Sequence, residues 1–184
     1  VASMMFFAYM FVDVLSPLST LLESTKGWTA ETYGTFCSSE YFLNVFAFFL
    51  IFAGIILDKM GIRFTGILSG SVMVIGAAIK LYAVSDWFTA DSSLYSFLNS
   101  FWTSFPPTAK LASVGFMIFG CGVEMAGVTV SKAIAKWFKG KEMALAMGLQ
   151  LAIARLGVFA VFRLSPYLST YLNEAIPTVV TPVL

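Results

Sequence analysis

The sequence predicts an all-helical membrane protein, and three observations carry that reading. Hydrophobic residues make up 59% of the 184-residue chain and charged residues only 11%, where soluble domains carry about 25% charge. Mean hydropathy is +0.86. The apolar residues also gather in runs of about twenty, the length at which a helix crosses the hydrocarbon core. Backbone groups in lipid must bond within their own segment, so these runs are read as helices.

The first span is expected at about residues 2–22. No cleavage-site pattern follows it, so it reads as a span and not a signal peptide. Asp13 and Ser16-Pro17 lie inside it. Proline in a span bends the helix, so Asp13 stands either at a moving kink or at one capped by local hydroxyls. The second span, about 35–57, carries Glu40, Tyr41 and Asn44, candidates for a cavity mouth or gate. The third, about 64–84, has no charge between Arg63 and Lys80 and is expected at the edge of the bundle. The fourth covers about 111–137 and the fifth about 142–162, while a sixth starts near Pro177. The chain therefore reads as five complete spans and the beginning of another, cut at both ends. Small residues at four-residue spacing, Gly66 and Gly70, then Ala144, Gly148 and Ala152, suit close helix packing.

The connection 85–110 is long and aromatic. Trp87, Phe88, Tyr95, Phe97, Phe101 and Trp102 suit a membrane interface. Asp91 or Ser92 could cap a short surface helix, which Pro106-Pro107 would end. A folded external cap is the plainer reading; an accessory protein could also dock there. Lys59 and Arg63, with Lys136, Lys139 and Lys141, mark the two tight basic turns. The opposite side has Lys26, Lys80 and Lys110, diluted by Glu23, Glu31, Asp86 and Asp91. This bias places the basic turns and the amino end in the cytosol.

Composition also excludes function classes. A net charge of +1 offers no general field for nucleic acid. With no histidine, histidine metal sites and proton relays are removed, and any proton coupling must use Asp or Glu. Cys37 and Cys121 both lie in apolar segments and read as small packing residues. No catalytic constellation, metal site or cofactor site is expected.

Charges within the spans carry the functional signal. Asp13, Glu40, Glu124 and Arg155 lie away from the span ends, where each costs about 2.5–3.5 kcal/mol on insertion scales. Such groups usually face a water-filled cavity or a partner. Glu124 and Arg155 stand equally far, about fifteen residues, on either side of the Lys139-Gly140 turn, which at ~1.5 Å per residue sets both roughly 20 Å from it. The two charges therefore share one depth on neighbouring helices. They could be a buried pair that registers the helices, although such a pair is often no more stable than an apolar replacement. They could also be an acid and a base for a zwitterionic solute, since Arg captures carboxylates bidentately and Glu receives an ammonium group. Lys132, about 80° round from Glu124 and nearer the turn, reads as a snorkelling or gate residue.

"GIILDKMGIR", Gly54 to Arg63, resembles the signature of the major facilitator superfamily between its second and third helices. Gly54, Asp58, Lys59, Gly61 and Arg63 match it, while Ile62 stands where a basic residue is usual. A second block, "FGCGVEMAGVTVSKAIAKWFKGKEMALAMGLQLAIARLG", is similar to a branch of lysosomal dipeptide uniporters within that superfamily. "FVDVLSP", which contains Asp13, is similar too. The resemblance implies a twelve-helix transporter working by alternating access, of which this chain would be most of the amino-terminal half. It implies a gating role for the Asp58 loop, a carboxyl-terminal half as partner, and dipeptide-end binding by Glu124 and Arg155, with Asp13 nearby. A lysosomal membrane would follow in a eukaryote, a plasma membrane in a bacterium. Rival readings are a proton-coupled organic anion carrier and a non-transporting membrane scaffold.

Overall fold

A computed structural model of the chain describes residues 2–85, 87–88, 93–138, 140 and 142–175. Among these residues it is helical, without a strand. Among the described residues, four stretches are long and apolar enough to cross a bilayer: Ala2–Lys26, Phe49–Val84, Pro107–Trp137 and Glu142–Tyr171. The sixth-helix start near Pro177 lies outside the described residues, as do Lys139, Lys141, Asp86, Asp91 and Ser92.

The first stretch is broken. Helix α1 (Ala2–Val12) stops before Asp13, a 3-10 turn spans Ser16–Leu18, and α2 (Ser19–Lys26) resumes. Pro17 explains the break, because it has no N–H for the Asp13 carbonyl. Ser16 N–H bonds that carbonyl instead, at 3.0 Å. Gly27 ends α2 in the left-handed region, φ 67°, as glycine does at many helix ends. Trp28 follows, buried, and its indole N–H donates to Thr108 Oγ1 at 3.0 Å.

Helix α3 (Ala30–Phe46) starts earlier than the sequence suggests because the Thr29 hydroxyl accepts from Thr32 N–H at 3.2 Å and caps it. It also ends earlier. Phe48 turns left-handed (φ 51°) before α4 (Phe49–Val84) begins, so the second span contains an elbow at 47–48. A left-handed conformation costs a non-glycine residue roughly 1–2 kcal/mol. Within α4, Gly61 has φ 81° and ψ 172°, and the chain reverses there. The contacts show the reversal. Trp28 meets Thr108 and Asp58 meets Lys132, so this part of the chain runs parallel to α6 (Pro107–Trp137). Gly66 lies against Thr129 and Gly76 against Phe119, so the part after Gly61 runs antiparallel to α6.

Helix α6 is the central element and the most buried span. Its glycines make that possible. A Cβ on Gly76 would sit 2.5 Å from Phe119 N and 2.7 Å from Gly115 O; one on Gly115 would sit 2.8 Å from Lys80 N. Gly122 is closed in by Met73, and Gly120 by the backbone of Glu40. Among the described residues nothing packs closely on Gly70 or Gly148 as their spacing suggests: both have open space at the Cβ position, and Ala144 and Ala152 are exposed. Spacing alone could not distinguish a packed stripe from an unoccupied one.

Helix α7 (Glu142–Ala175) outruns the expected 142–162 and holds Pro166 within it. Ser165 anchors the extension by donating to Val14 O at 3.1 Å. Gly157 packs on the backbone of Phe6 and Ser165 lies against Val14, so α7 runs parallel to the first span. Two groups result: α3, α4 and α6 pack together, while α1 packs chiefly on α7. A short helix, α5 (Ser93–Asn99), forms the cap beyond α4. Pro106-Pro107 does not end it; Pro107 opens α6 at the first position, where its missing N–H is no loss.

Gly76→Ala is expected to destabilise the full-length protein by about 1–3 kcal/mol through overpacking at the α4–α6 crossing. Gly70→Ala, made into open space, should leave the melting temperature within error or raise it slightly. Thermal unfolding of the purified protein in detergent checks both.

Candidate functional site

A cavity of about 250 Å³ opens between the two groups of helices. Three elements build most of it, and the lining residues of the first span and of α3 recur at three- and four-residue spacing. The first span supplies Tyr9, Val12, Asp13 and Ser16; α3 supplies Tyr33, Phe36, Cys37, Glu40 and Tyr41; α6 supplies Phe116, Val123 and Glu124. Arg155 of α7 completes the lining. The volume falls below the ~300–1,000 Å³ usual for small-molecule sites.

Asp13, Glu40, Tyr41, Glu124 and Arg155 are therefore brought to one space. Glu124 and Arg155 do not pair with each other: among the described residues no ion pair joins them, and Lys132 and Asp58 pair elsewhere. Glu124 is half-buried and Arg155 exposed, with its guanidinium carbon 6.0 Å from the centre of the Tyr9 ring, at the outer range of a cation–π contact. Asp13 is held by a local chain. Tyr33 donates to Ser16 Oγ at 3.0 Å, and Ser16 donates to Asp13 Oδ1 at 3.2 Å. Of the two readings of the kink, local hydroxyl bonding is thus present, and Asp13 lines the cavity as well. The Phe36 ring stacks on Phe116 at 4.7 Å and forms an apolar wall. Among the described residues no cluster of three or more metal-ligating side chains forms.

Other candidates lie elsewhere. Lys132 does not reach the cavity. It pairs with Asp58 at 2.5 Å and approaches Leu57 O, at the end of the bundle where Gly61 and Gly140 turn the chain. This contact ties the second span to α6. With the side chains 40% and 76% exposed, such a pair is worth about 0–1 kcal/mol. Lys59 and Arg63 are exposed, and Gly54 has nothing against its Cβ position. Asn44 is buried beside the cavity without lining it. Its Nδ2 donates to Glu40 O at 3.4 Å, and its Oδ1 has no partner among the described residues.

At the opposite end, Lys110 is buried and donates to Leu98 O and Phe101 O, fastening the aromatic cap to the start of α6. Trp102 stacks on Phe105 at 5.3 Å, and Phe88 is buried against Tyr95.

Sequence reasoning missed Tyr9, Tyr33 and Cys37 as cavity residues. The signal was spacing: Tyr9 stands four before Asp13, Tyr33 and Cys37 seven and three before Glu40, all on one helical face. It also counted Lys80 only among the basic residues of the outer side, whereas the third span does show the exposure of an edge helix, with Ile67, Val74 and Ile75 uncovered. Lys80 is buried and contacts the first span, its Nζ donating to Phe11 O at 2.8 Å.

No family model matches the chain, and no solved structure matches it. Curated relatives do. The chain is similar to the lysosomal dipeptide transporter MFSD1 of Bos taurus, 32% identical over 107 residues, which are 58% of this chain and 19% of that protein. The MFSD1 of Danio rerio is 35% identical over 115 residues, 62% of this chain and 20% of the relative. That of Gallus gallus is 42% identical over 65 residues, 35% and 13% respectively. The matched segment thus spans about a fifth of the length of the relatives. These relatives agree with the resemblance carried by residues 54–63 and 119–157.

Tyr33→Phe removes the hydroxyl that steadies Ser16 and Asp13, and should cost about 1 kcal/mol of stability. Ser16→Ala should cost a similar amount, and the double variant clearly less than the sum, because both act on one chain of hydrogen bonds. Melting temperatures of the three variants measure this.

Proposed function

We propose that the chain is the amino-terminal half of a major facilitator transporter that moves a small zwitterion, a dipeptide, by alternating access. The observation that carries the reading is the placement of Glu124 and Arg155 on one cavity without an ion pair between them. An acid and a base kept apart at a cavity wall are available to a solute with an ammonium group at one end and a carboxylate at the other. The names of the relatives support the substrate class.

In this reading Arg155 takes the carboxylate through its planar fork. Glu124 takes the amino group, and Asp13, steadied by Ser16 and Tyr33, adds negative charge on the amino side. Both termini of a dipeptide are the same whatever its side chains, so these contacts tolerate varied side chains. A carboxyl-terminal half would supply the facing wall, with the site at the interface between halves. The Asp58–Lys132 pair would belong to the cytosolic gate, and the amino end of the chain would then lie in the cytosol. The membrane would be lysosomal in a eukaryote. The solute crosses unchanged, so no side chain is assigned a bond-breaking role.

The test is uptake of a dipeptide panel by the full-length protein. Arg155→Lys keeps the charge and removes the fork; it should lower uptake at limiting substrate at least about tenfold, the scale of one charge-assisted contact. Glu124→Gln should do the same. Acetylating the dipeptide's amino group should abolish competition for uptake. If the blocked peptide competes as well as the free one, the amino-group assignment fails and an organic anion carrier is favoured. If deletion of the cap destroys function while both site variants transport normally, a scaffold is favoured.

A further inference from the structure

Lys80 is buried to 4% exposure at the cap end of α4, where an ordinary lysine would reach out to the membrane edge. Lysine is almost never fully buried unless paired, yet no carboxylate lies within ion-pair distance of it among the described residues. Its partners are of another kind. Nζ donates to the Phe11 carbonyl at 2.8 Å and sits 4.7 Å and 5.0 Å from the ring centres of Phe116 and Phe119.

The carbonyl it holds is a consequence of the broken first span. Because α1 ends at Val12, Phe11 is among its last four residues, whose carbonyls lack an acceptor role inside the helix. A free carbonyl facing apolar surroundings is costly, and a cation at a helix carboxyl end also suits the helix dipole. Two residues further on stands Asp13. Phe116, whose ring centre lies 4.7 Å from Nζ, is also one of the cavity's walls. The close Gly76–Gly115 crossing brings this part of α4 against α6 and so sets the lysine's position.

We propose that Lys80 is a positioning residue: by holding the free Phe11 carbonyl it fixes the break in the first span from which Asp13 reaches the cavity. Its effect on backbone geometry stands without the transport reading; its effect on solute handling rests on that reading.

Hydrogen exchange of the full-length protein in lipid nanodiscs, read by mass spectrometry, tests the geometry. Lys80→Met is expected to speed exchange in peptides covering 10–18 about tenfold, as loss of one charged hydrogen bond would, and to leave α6 peptides unchanged. Lys80→Arg, which keeps a charged donor, should restore slow exchange. If the methionine variant does not fold, Lys80→Leu, which also lacks a donor, takes its place with the same expectation. Unchanged exchange at 10–18, or acceleration spread equally through α6, overturns the proposal. Dipeptide uptake then tests the consequence. Lys80→Met should raise the half-saturating concentration severalfold with Asp13 present and less than about twofold in an Asp13→Asn background. Equal effects in the two backgrounds overturn action through Asp13. If the wild type takes up no dipeptide, the transport reading fails and the exchange result still decides the role of Lys80.

Discussion

The close approach of α4 to α6 underlies the rest of the architecture. At Gly76 and Gly115 one backbone lies against the other with no room for a methyl group. Lipid gives helices no hydrophobic reason to associate, so dispersion between closely set backbones must hold them. This contact and those at Gly120 and Gly122 bury α6 between α3 and α4. Once α6 is fixed, its remaining face is fixed as well, and that face carries Phe116, Val123 and Glu124 into the cavity. A helix set further out would leave Glu124 among apolar side chains or lipid.

The charges of the cavity follow a different logic from the charges of a soluble core. Asp13, Glu40 and Glu124 face one arginine across a small volume. Buried in hydrocarbon, such a set would be forced into pairs or neutralised. Here the hydroxyls of Ser16 and Tyr33 attend Asp13, and Arg155 stays exposed beside Tyr9. Lysine is used in the opposite way. Lys80 and Lys110 turn inward and serve backbone carbonyls at places where helices stop. Two of the chain's cations thus replace missing links in the backbone, a use that charge counting along a sequence does not reveal.

Much of the fold was legible because it rests on local rules. Apolar runs announce helices, Pro17 announces a break, and Gly61 permits a reversal. Glu124 and Arg155 stood out as charges where hydrocarbon would exclude them, and symmetric counting about the turn put them at one depth. What was illegible depends on which face a helix turns to its neighbours. Gly70 and Gly148 look as suited to packing as Gly76 and Gly115, yet only the latter pair meets a backbone. Lys132 and Lys80 could each be placed by depth, but not by direction, and each turned out to serve a neighbouring span. The elbow at Phe48 has no local signal, since phenylalanine is a poor candidate for a left-handed conformation.

The division of the helices into two groups has a mechanical consequence. Arg155 belongs to the group of α1 and α7, Glu124 to the group of α3, α4 and α6. Any molecule long enough to touch both ends becomes a removable brace across the seam between them. Such occupancy would stiffen this region from within, and vacancy would give that freedom back.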